Sequence, residues 1–312
     1  MANTRELRRR IKSVKGTAQI TKAMQMVAAT KMRRAQSQAT NGRPYAGNLS
    51  EALARLLPRI DMEAHPLLSG KEIATSSPSA RPRNDKVGVV LLSTDKGLVG
   101  ALNTNLIRTL ASHIGSGNTV YYTVGRKGRS FVARTGKDLK ADFENLDTVT
   151  FRQAKQLSKL IMDAFRSGEI GEAYLVYPQF VSTLRQEPKR VKLLPIDLES
   201  VITSQDAHLR GENKAASTSH LGGVGTDAEF LFEPNPDALL DYLLVHHIEE
   251  LIYQALLETK ASEHSARMIA MQNATDNAKE LVSDLQLTYN QTRQASITTE
   301  LLEITTAQIA ME

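Results

Sequence analysis

The sequence predicts an α/β protein in which long N- and C-terminal helices pair as an antiparallel coiled coil and the middle of the chain forms a separate α/β domain. Residues 1–60 contain thirteen Lys or Arg and two acidic residues, a net charge of +11. Residues 235–312 contain four basic and twelve acidic residues, a net charge of −8. Both ends also repeat small and apolar residues with helical spacing, so the two ends are expected to associate.

The N-terminal helix is predicted from a seam whose residues recur at alternating steps of four and three, the spacing of a coiled coil. This seam includes Leu7, Ile11, Val14, Ala28 and Met32. The domain is inserted between the two helices, so the chain leaves the first helix and enters the second at the same end. The two helices are therefore expected to be antiparallel.

The C-terminal helix has the same alternating spacing of four and three residues. Its predicted seam includes Leu281, Leu285, Ala295 and Leu302. Many other seam positions on both helices are small or polar. Small residues allow a close approach of two helices but bury little apolar area, so other proteins are expected to contact the outside of the pair. The two helices also differ in length, and one end is expected to project beyond the other.

A kink or break in the N-terminal helix is predicted near Asn41, Gly42 and Pro44. Proline lacks a backbone donor and its ring crowds the preceding turn, which bends or ends a helix. The domain boundaries expected from these patterns are 1–60 for the first helix, 61–234 for the α/β domain and 235–312 for the second helix.

The middle of the chain alternates short apolar runs with helical spacing, which is typical of a sheet covered by helices. The predicted strands are 86–93, 120–124, 173–177 and 190–196, and the predicted helices are 101–114, 126–134 and 151–167. Two stretches rich in Ser, Gly, Pro and charged residues, 70–84 and 203–227, are expected to be exposed loops.

Two glycine-containing turns occupy positions where a phosphate-binding loop would lie, between a strand and a helix. They are the segments STDKGLVG at 93–100 and GRKGR at 125–129. Neither has the spacing GxGxxG or GxxxxGK[ST], so tight structural turns are favoured and no cofactor is expected. A nucleotide-binding α/β enzyme stays open as an alternative.

Metal and nucleophile chemistry receive little support from the sequence. His246 and Glu250 are four residues apart on one helical face, but no second such pair accompanies them, so a salt-bridging or capping role is favoured over a metal site. The chain contains no cysteine, which excludes thiolate catalysis. No Ser, His and Asp grouping indicates a nucleophile. Catalysis by this chain alone is not expected.

A basic N-terminal helix also raises the alternative of a coiled-coil protein that binds nucleic acid. Its basic residues lie within the heptad itself, the seam lacks repeated leucine, and an acidic partner helix is available in the same chain. A helix partner is therefore favoured over DNA or RNA. The basic residues concerned are Arg5, Arg8, Arg9, Arg10, Lys12 and Lys15.

Long stretches of the chain resemble the gamma subunit of the F-type ATP synthases. The resemblance is carried by IKSVKGTAQITKAMQMVAATKMRRAQ at 11–36, by the segment 261–304, and by LLSTDKGLVGALNTNL at 91–106. The turn at 125–129 and the segment LVYPQFVSTLRQEPKRVKLLPI at 175–196 fall where that family has its Rossmann-like domain. The loops 70–84 and 203–227 lie outside the resemblance.

This resemblance implies a central rotor shaft rather than an enzyme in its own right. Its expected partners are the hexamer of alpha and beta subunits around the coiled coil, the epsilon subunit, and the c ring in the membrane. The longest apolar run, 87–92, is too short to cross a bilayer, so membrane contact is expected only through partners. The implied location is the cytoplasmic side of a bacterial plasma membrane, as a peripheral subunit.

The resemblance also implies roles for particular residues. Four residues near the C-terminus are expected to face the catch loop of a beta subunit, with two residues of the N-terminal helix at the same level. The first group is Arg293, Gln294, Thr298 and Glu300, and the second is Lys22 and Met24. Candidate contacts to the c ring or epsilon subunit are Tyr177, Arg185, Arg126 and Lys127.

Overall fold

A computed structural model describes residues 4–56, 66–69, 86–113, 118–196, 236–309 and 311. Its two longest elements are the N-terminal helix α1 (Thr4–Leu56) and the C-terminal helix α6 (Pro236–Ile309). The predicted loops 70–84 and 203–227 lie outside the described residues. Long helices at both ends and an α/β sheet between them confirm the predicted fold class.

The sheet has five strands in the order β3-β2-β1-β4-β5. The strands are β1 (Val87–Leu92), β2 (Thr119–Val124), β3 (Asp138–Phe143), β4 (Glu172–Phe180) and β5 (Gln186–Leu194). β1 runs parallel to β2 and β4, β2 runs parallel to β3, and β4 pairs with β5 in antiparallel register. The connecting helices are α2 (Pro66–Ser69), α3 (Leu102–His113), α4 (Arg126–Arg134) and α5 (Phe151–Arg166).

Both faces of the sheet are covered, which is why β1 is apolar along its whole length. Val89 and Leu91 point to one face, where they pack with residues of α3 and α4. Val90 and Leu92 point to the other face, into a larger cluster with α5 and with residues 240–257 of α6. Successive residues of a strand face opposite sides, so one buried strand serves both clusters.

One strand of the sheet was not predicted. β3 has the sequence DLKADF and alternates exposed with half-buried residues at the edge of the sheet. An edge strand needs only one apolar face, so it has no continuous apolar run to mark it. β4 and β5 are also longer than predicted, because they continue past the buried core into an exposed hairpin.

The first helix does not end at the predicted position. α1 continues through Pro44 as one helix from Thr4 to Leu56. Neighbouring groups hold this stretch: the Gln254 side chain donates to the Ala39 carbonyl oxygen at 3.3 Å, and the Tyr45 hydroxyl lies 2.5 Å from His246 Nε2. Tertiary contacts of this kind can retain a proline inside a helix despite its missing donor.

The chain divides into two compact units. The first comprises Met1–Lys31, Leu98–Gly100 and His264–Glu312, and the second comprises Met32–Gly97 and Ala101–Glu263. In the first unit the Thr21 and Thr275 hydroxyls lie 2.7 Å apart, and Gln25 donates to Gln272 at 3.5 Å. Residue numbers rise on one helix as they fall on the other, so the two helices are antiparallel.

Candidate functional site: paired helices and the polar end of the sheet

The seam of α1 follows the predicted positions. Leu7, Ala28 and Met32 are buried, and Ile11 and Val14 are half-buried. Ala28 is 2% exposed. Its side chain is a single methyl group, so a neighbouring helix must approach closely to cover it. The small residues of this seam are therefore packed against neighbouring side chains and leave no cavity at these positions.

The seam of α6 agrees with the predicted positions only in part. Leu281 and Leu302 are 45% and 62% exposed, and Ala295 is exposed. Ala278 is buried and Leu285 is half-buried, in agreement with the predicted spacing, and Met271, Thr275 and Val282 are also buried. The hydroxyl contact of Thr275 with Thr21 fixes this register, which turns Val282 inward and Leu281 outward.

The residues expected at the beta catch loop do not lie at one level. Thr21 and Gln25 are opposite Thr275 and Gln272, so Lys22 and Met24 lie level with this part of α6. Arg293 is eighteen residues beyond Thr275, which corresponds to about 27 Å along a helix. The sequence indicated the direction of pairing but not its register, and the two groups of residues are separated as a result.

The last turns of α6 extend past the described start of α1. The register that places Thr21 opposite Thr275 places Thr4 level with residue 292. Arg293, Gln294, Thr298 and Glu300 are all exposed. Exposed apolar side chains accompany them, each between 49% and 64% exposed: Ile297, Leu301, Leu302 and Ile304. This segment, residues 293–308, is called the tip below.

Threonine hydroxyls in and near the tip bond to their own helix. Thr298 donates to the Gln294 carbonyl oxygen at 2.9 Å and Thr299 donates to that of Ala295 at 2.9 Å. The same contact, four residues back along the helix, is made by Thr288, Thr292, Thr305 and Thr306. These exposed hydroxyls are therefore already satisfied within α6.

In the second unit, the two glycine turns bind to each other. The Ser93 hydroxyl accepts from the Gly128 N–H at 2.8 Å, and the Thr94 carbonyl oxygen accepts from the Lys127 N–H at 3.1 Å. Asp95 Oδ1 accepts from the Arg126 N–H at 2.8 Å. The first-turn N–H groups of α4, which a phosphate would need, are thus bonded to the protein's own oxygens.

A buried polar cluster covers the carboxyl end of β1. The Asn145 side chain donates to the Ser93 carbonyl oxygen at 2.7 Å, and Lys260 Nζ of α6 donates to the Asn145 carbonyl oxygen at 2.9 Å. Lys260 is also 3.5 Å from Glu263 Oε2. Burial lowers the pKa of Lys260, whereas the Glu263 carboxylate favours its charged form. In a sheet of this topology, the carboxyl end of the central strands is where ligands usually bind.

Sequence reasoning missed Lys260, Glu263 and Asn145. Charged side chains are rarely fully buried, so a lysine inside a long helix is normally assigned to the surface. The available signal was the polar run TKASEHS at 259–265, which interrupts the apolar spacing of α6. All seven of these residues are buried.

The four residues expected to contact the c ring or the epsilon subunit fall into two groups. Arg126, Lys127 and Arg185 are exposed. Tyr177 is 7% exposed and belongs to the core, where burial raises its pKa and its hydroxyl bonds to Glu258. The assignment of Tyr177 to a surface contact is therefore wrong, because β4 places this ring against α6.

His246 takes a polar role in the structure. Its Nδ1 lies 3.4 Å from Glu249 Oε2, its Nε2 contacts the Tyr45 hydroxyl, and Tyr242 stacks on its ring. Within the described ranges, no group of three or more His, Asp or Glu side chains is arranged to hold a metal ion.

The neighbouring His247 gives the protein an expected acid sensitivity. Burial, with a smaller contribution from His246, lowers the pKa of His247 to about 4. The His247 ring therefore binds a proton near pH 6.5 in the unfolded chain, whereas in the folded chain it binds one only near pH 4. The free energy of unfolding decreases as the pH falls from the first value to the second. We expect a loss of about 2 kcal/mol between about pH 7 and pH 5.

This expectation is checked by chemical denaturation of the wild type and of His247→Gln at the two pH values. The variant lacks the titrating ring, so its stability should change less over the same interval. Equal pH dependence in both proteins would contradict the assignment to His247.

No helix among the described parts of the chain is both long and apolar enough to cross a membrane. The first unit contains an antiparallel helix pair with an exposed tip, and the second contains an α/β domain whose polar end is closed by its own side chains. Such a combination is typical of a structural subunit of a larger assembly.

Comparison with known proteins identifies the assembly. The family model described as ATP synthase matches residues 3–311. The ATP synthase gamma chain of Opitutus terrae is 43% identical, with 99% of each chain covered. That of Methylacidiphilum infernorum is also 43% identical, over the full length of both chains. The chain belongs to the gamma chain family of the ATP synthases, and the resemblance seen in the sequence is confirmed.

Solved structures agree with this assignment. A chain in the central stalk and c-ring structure of the Tetrahymena thermophila mitochondrial ATP synthase is 25% identical, with a TM-score of 0.55. The match covers 82% of this chain and 99% of that chain. A chain of the Euglena gracilis mitochondrial ATP synthase, 21% identical over 99% of this chain and 94% of its own length, shares the fold with a TM-score of 0.63.

Proposed function

We propose that this chain is the central-stalk rotor of an F-type ATP synthase and couples rotation of a membrane c ring to the conformational cycle of the catalytic beta subunits. The observation that carries this function is the antiparallel pair of α1 and α6, in which the tip extends past the described start of α1. A projecting helix has its whole circumference available to a surrounding hexamer of alpha and beta subunits.

The chain itself contributes torque and no chemistry. ATP is bound and converted on the beta subunits. In support, the two turns with the position of phosphate loops use their N–H groups and oxygens to bind each other. A rigid element that contacts each catalytic site differently supplies a coupling free energy between them.

The α/β domain provides the base, which binds the epsilon subunit and the c ring. The exposed basic side chains Arg126, Lys127 and Arg185 are candidates for this contact. The complex lies on the cytoplasmic side of a bacterial plasma membrane, and this chain reaches the membrane through its partners.

This function is tested by affinity purification of the tagged chain at native salt, followed by identification of the bound subunits. Alpha and beta subunits should co-purify in equal amounts. Isolation of the chain without them would contradict the rotor function.

Arg293→Ala tests the contact of the tip with a beta subunit. Arg293 is exposed, so the isolated chain should melt at an unchanged temperature. Loss of one charge-assisted hydrogen bond of about 1.5 kcal/mol should lower ATP turnover or ATP-driven proton pumping about tenfold. Arg108→Ala, which removes an exposed arginine from α3, is the matched control and should change neither. Unchanged turnover and pumping in Arg293→Ala would show that this residue makes no productive contact.

A further inference from the structure

A short segment of α6, residues 258–263, makes polar contacts where the preceding part of the helix makes apolar ones. Ile252, Ala255 and Leu256 pack into the larger core cluster. Lys260 and Glu263 are each only 4% exposed, and Ser262 is completely buried. The helix thus changes the nature of its contact with the sheet within about two turns.

The polar contacts of this segment reach two different strand ends. Lys260 Nζ donates to the Asn145 carbonyl oxygen at 2.9 Å, and Asn145 follows β3. The Asn145 side chain lies 3.4 Å from Glu263 Oε2, which closes a ring with Lys260.

Two further contacts tie the same segment to β4. The Ser262 hydroxyl donates to the Pro178 carbonyl oxygen at 2.9 Å, and the Tyr177 hydroxyl bonds to Glu258. The segment is thereby bonded on both sides of β1, since β4 and the strand pair β2–β3 flank it.

Apolar and polar contacts resist movement differently. Burial of apolar area is non-directional, so a helix can turn slightly about its axis with little loss of free energy. Hydrogen bonds weaken steeply when their angle departs from linearity. Bonds that leave one helix toward two different strand ends therefore oppose rotation of the helix in either sense.

Stability alone does not account for the buried charges. A buried ion pair can often be replaced by apolar residues of similar volume without loss of stability, because the desolvation of both charges offsets their attraction. A role that such a pair can have apart from stability is to specify the orientation of the two elements that it joins.

We propose that the cluster of Lys260, Glu263 and Asn145 fixes the angle of α6 about its own axis relative to the sheet, so that torque passes from the α/β domain into the helix through these positioning residues. This inference rests on the proposed rotor function. It concerns torsional stiffness, which is separable from folding.

The test compares stability with torsional stiffness in Lys260→Met/Glu263→Leu, which replaces the pair by apolar side chains. The control is Lys279→Gln/Asp276→Asn. This pair is also three residues apart on α6 at 3.5 Å, but its side chains are 66% and 60% exposed. Because the chain contains no cysteine, a single Arg108→Cys substitution on the exposed face of α3 attaches a bead specifically.

The bead reports angular fluctuations of the α/β domain in the complex assembled with alpha and beta subunits. We expect the isolated double variant to melt within about 3 °C of the wild type. Its angular variance should rise about twofold, because about half of the hydrogen bonds that hold the angle are removed. The control pair should leave the variance unchanged.

An unchanged variance in an assembled double variant would overturn the proposal. If the double variant does not fold, Glu263→Gln replaces it. This variant keeps the shape of the side chain but removes the charge that holds the buried Lys260 in its ammonium form, so the bond from Lys260 to the Asn145 carbonyl oxygen is weakened. A raised variance supports the proposal and a wild-type variance overturns it. A wild-type chain that does not enter the hexamer gives a different result, which contradicts the rotor function itself.

Discussion

Replacement of Gly125 by alanine is expected to lower the free energy of unfolding by about 4 kcal/mol. Gly125 has φ +97° and ψ 141°, a region that is essentially restricted to glycine. A Cβ atom there would lie 2.3 Å from the Ser93 carbonyl oxygen, a backbone atom at the end of β1. Relief of this overlap requires the central strand or the turn before α4 to move, which disrupts the bonds between the two glycine turns.

Gly136→Ala is the matched control for this substitution. Gly136 also has a positive φ, +66°, but a Cβ atom would meet nothing within 4 Å. Gly136→Ala should therefore lower the free energy of unfolding by only about 1 kcal/mol, because alanine adopts a positive φ less readily than glycine. Denaturant titration of both variants separates the two contributions. Similar stabilities for the two variants would show that the Gly125 turn can relax around a side chain.

Val282→Asp is expected to destabilise the helix pair of the first unit by about 3 kcal/mol. Val282 is 9% exposed in the seam of α6, and a carboxylate there would lose water without gaining a partner. The adjacent Leu281 is 45% exposed, so Leu281→Asp should change stability by less than about 0.5 kcal/mol.

Hydrogen exchange of α6 amides between residues 271 and 285 measures this difference locally. Faster exchange in Val282→Asp than in Leu281→Asp supports the observed register. The opposite order would restore Leu281 to the seam and shift the helices by one residue.

The association of the two chain ends and the α/β domain could be predicted because they depend on long-range averages, and the antiparallel direction follows from the insertion of the domain between the helices. Opposite net charges at the two ends and the 4-3 spacing tolerate errors at single positions. The register of the helix pair does not tolerate such errors. Leu281 and Val282 are both apolar, so spacing alone cannot show which of them lies in the seam. The contact that decides it, between Thr21 and Thr275, joins polar residues that a heptad search ranks low.

Some of the candidate functional residues could be predicted from the sequence and others could not. The glycine turns were found because glycine marks tight turns locally. Tyr177 and Lys260 were assigned incorrectly or missed because their burial depends on α6 crossing the sheet, a contact between segments more than eighty residues apart in sequence. Nothing near Tyr177 signals such a contact, and the polar run 259–265 around Lys260 does not show which segment it contacts. β3 is polar because it lies at the sheet edge.

The self-bonded threonines of α6 have a consequence for friction at the proposed rotor surface. A hydroxyl that bonds to its own helix at 2.8 to 3.0 Å does not need a donor or acceptor from a neighbouring surface. A protein wall moving past the tip therefore breaks few strong bonds with these residues at each step. In the proposed function, adhesion to the wall would then fall to the exposed apolar side chains and to charged residues such as Arg293 and Glu300, that is, to a few positions rather than to the whole surface.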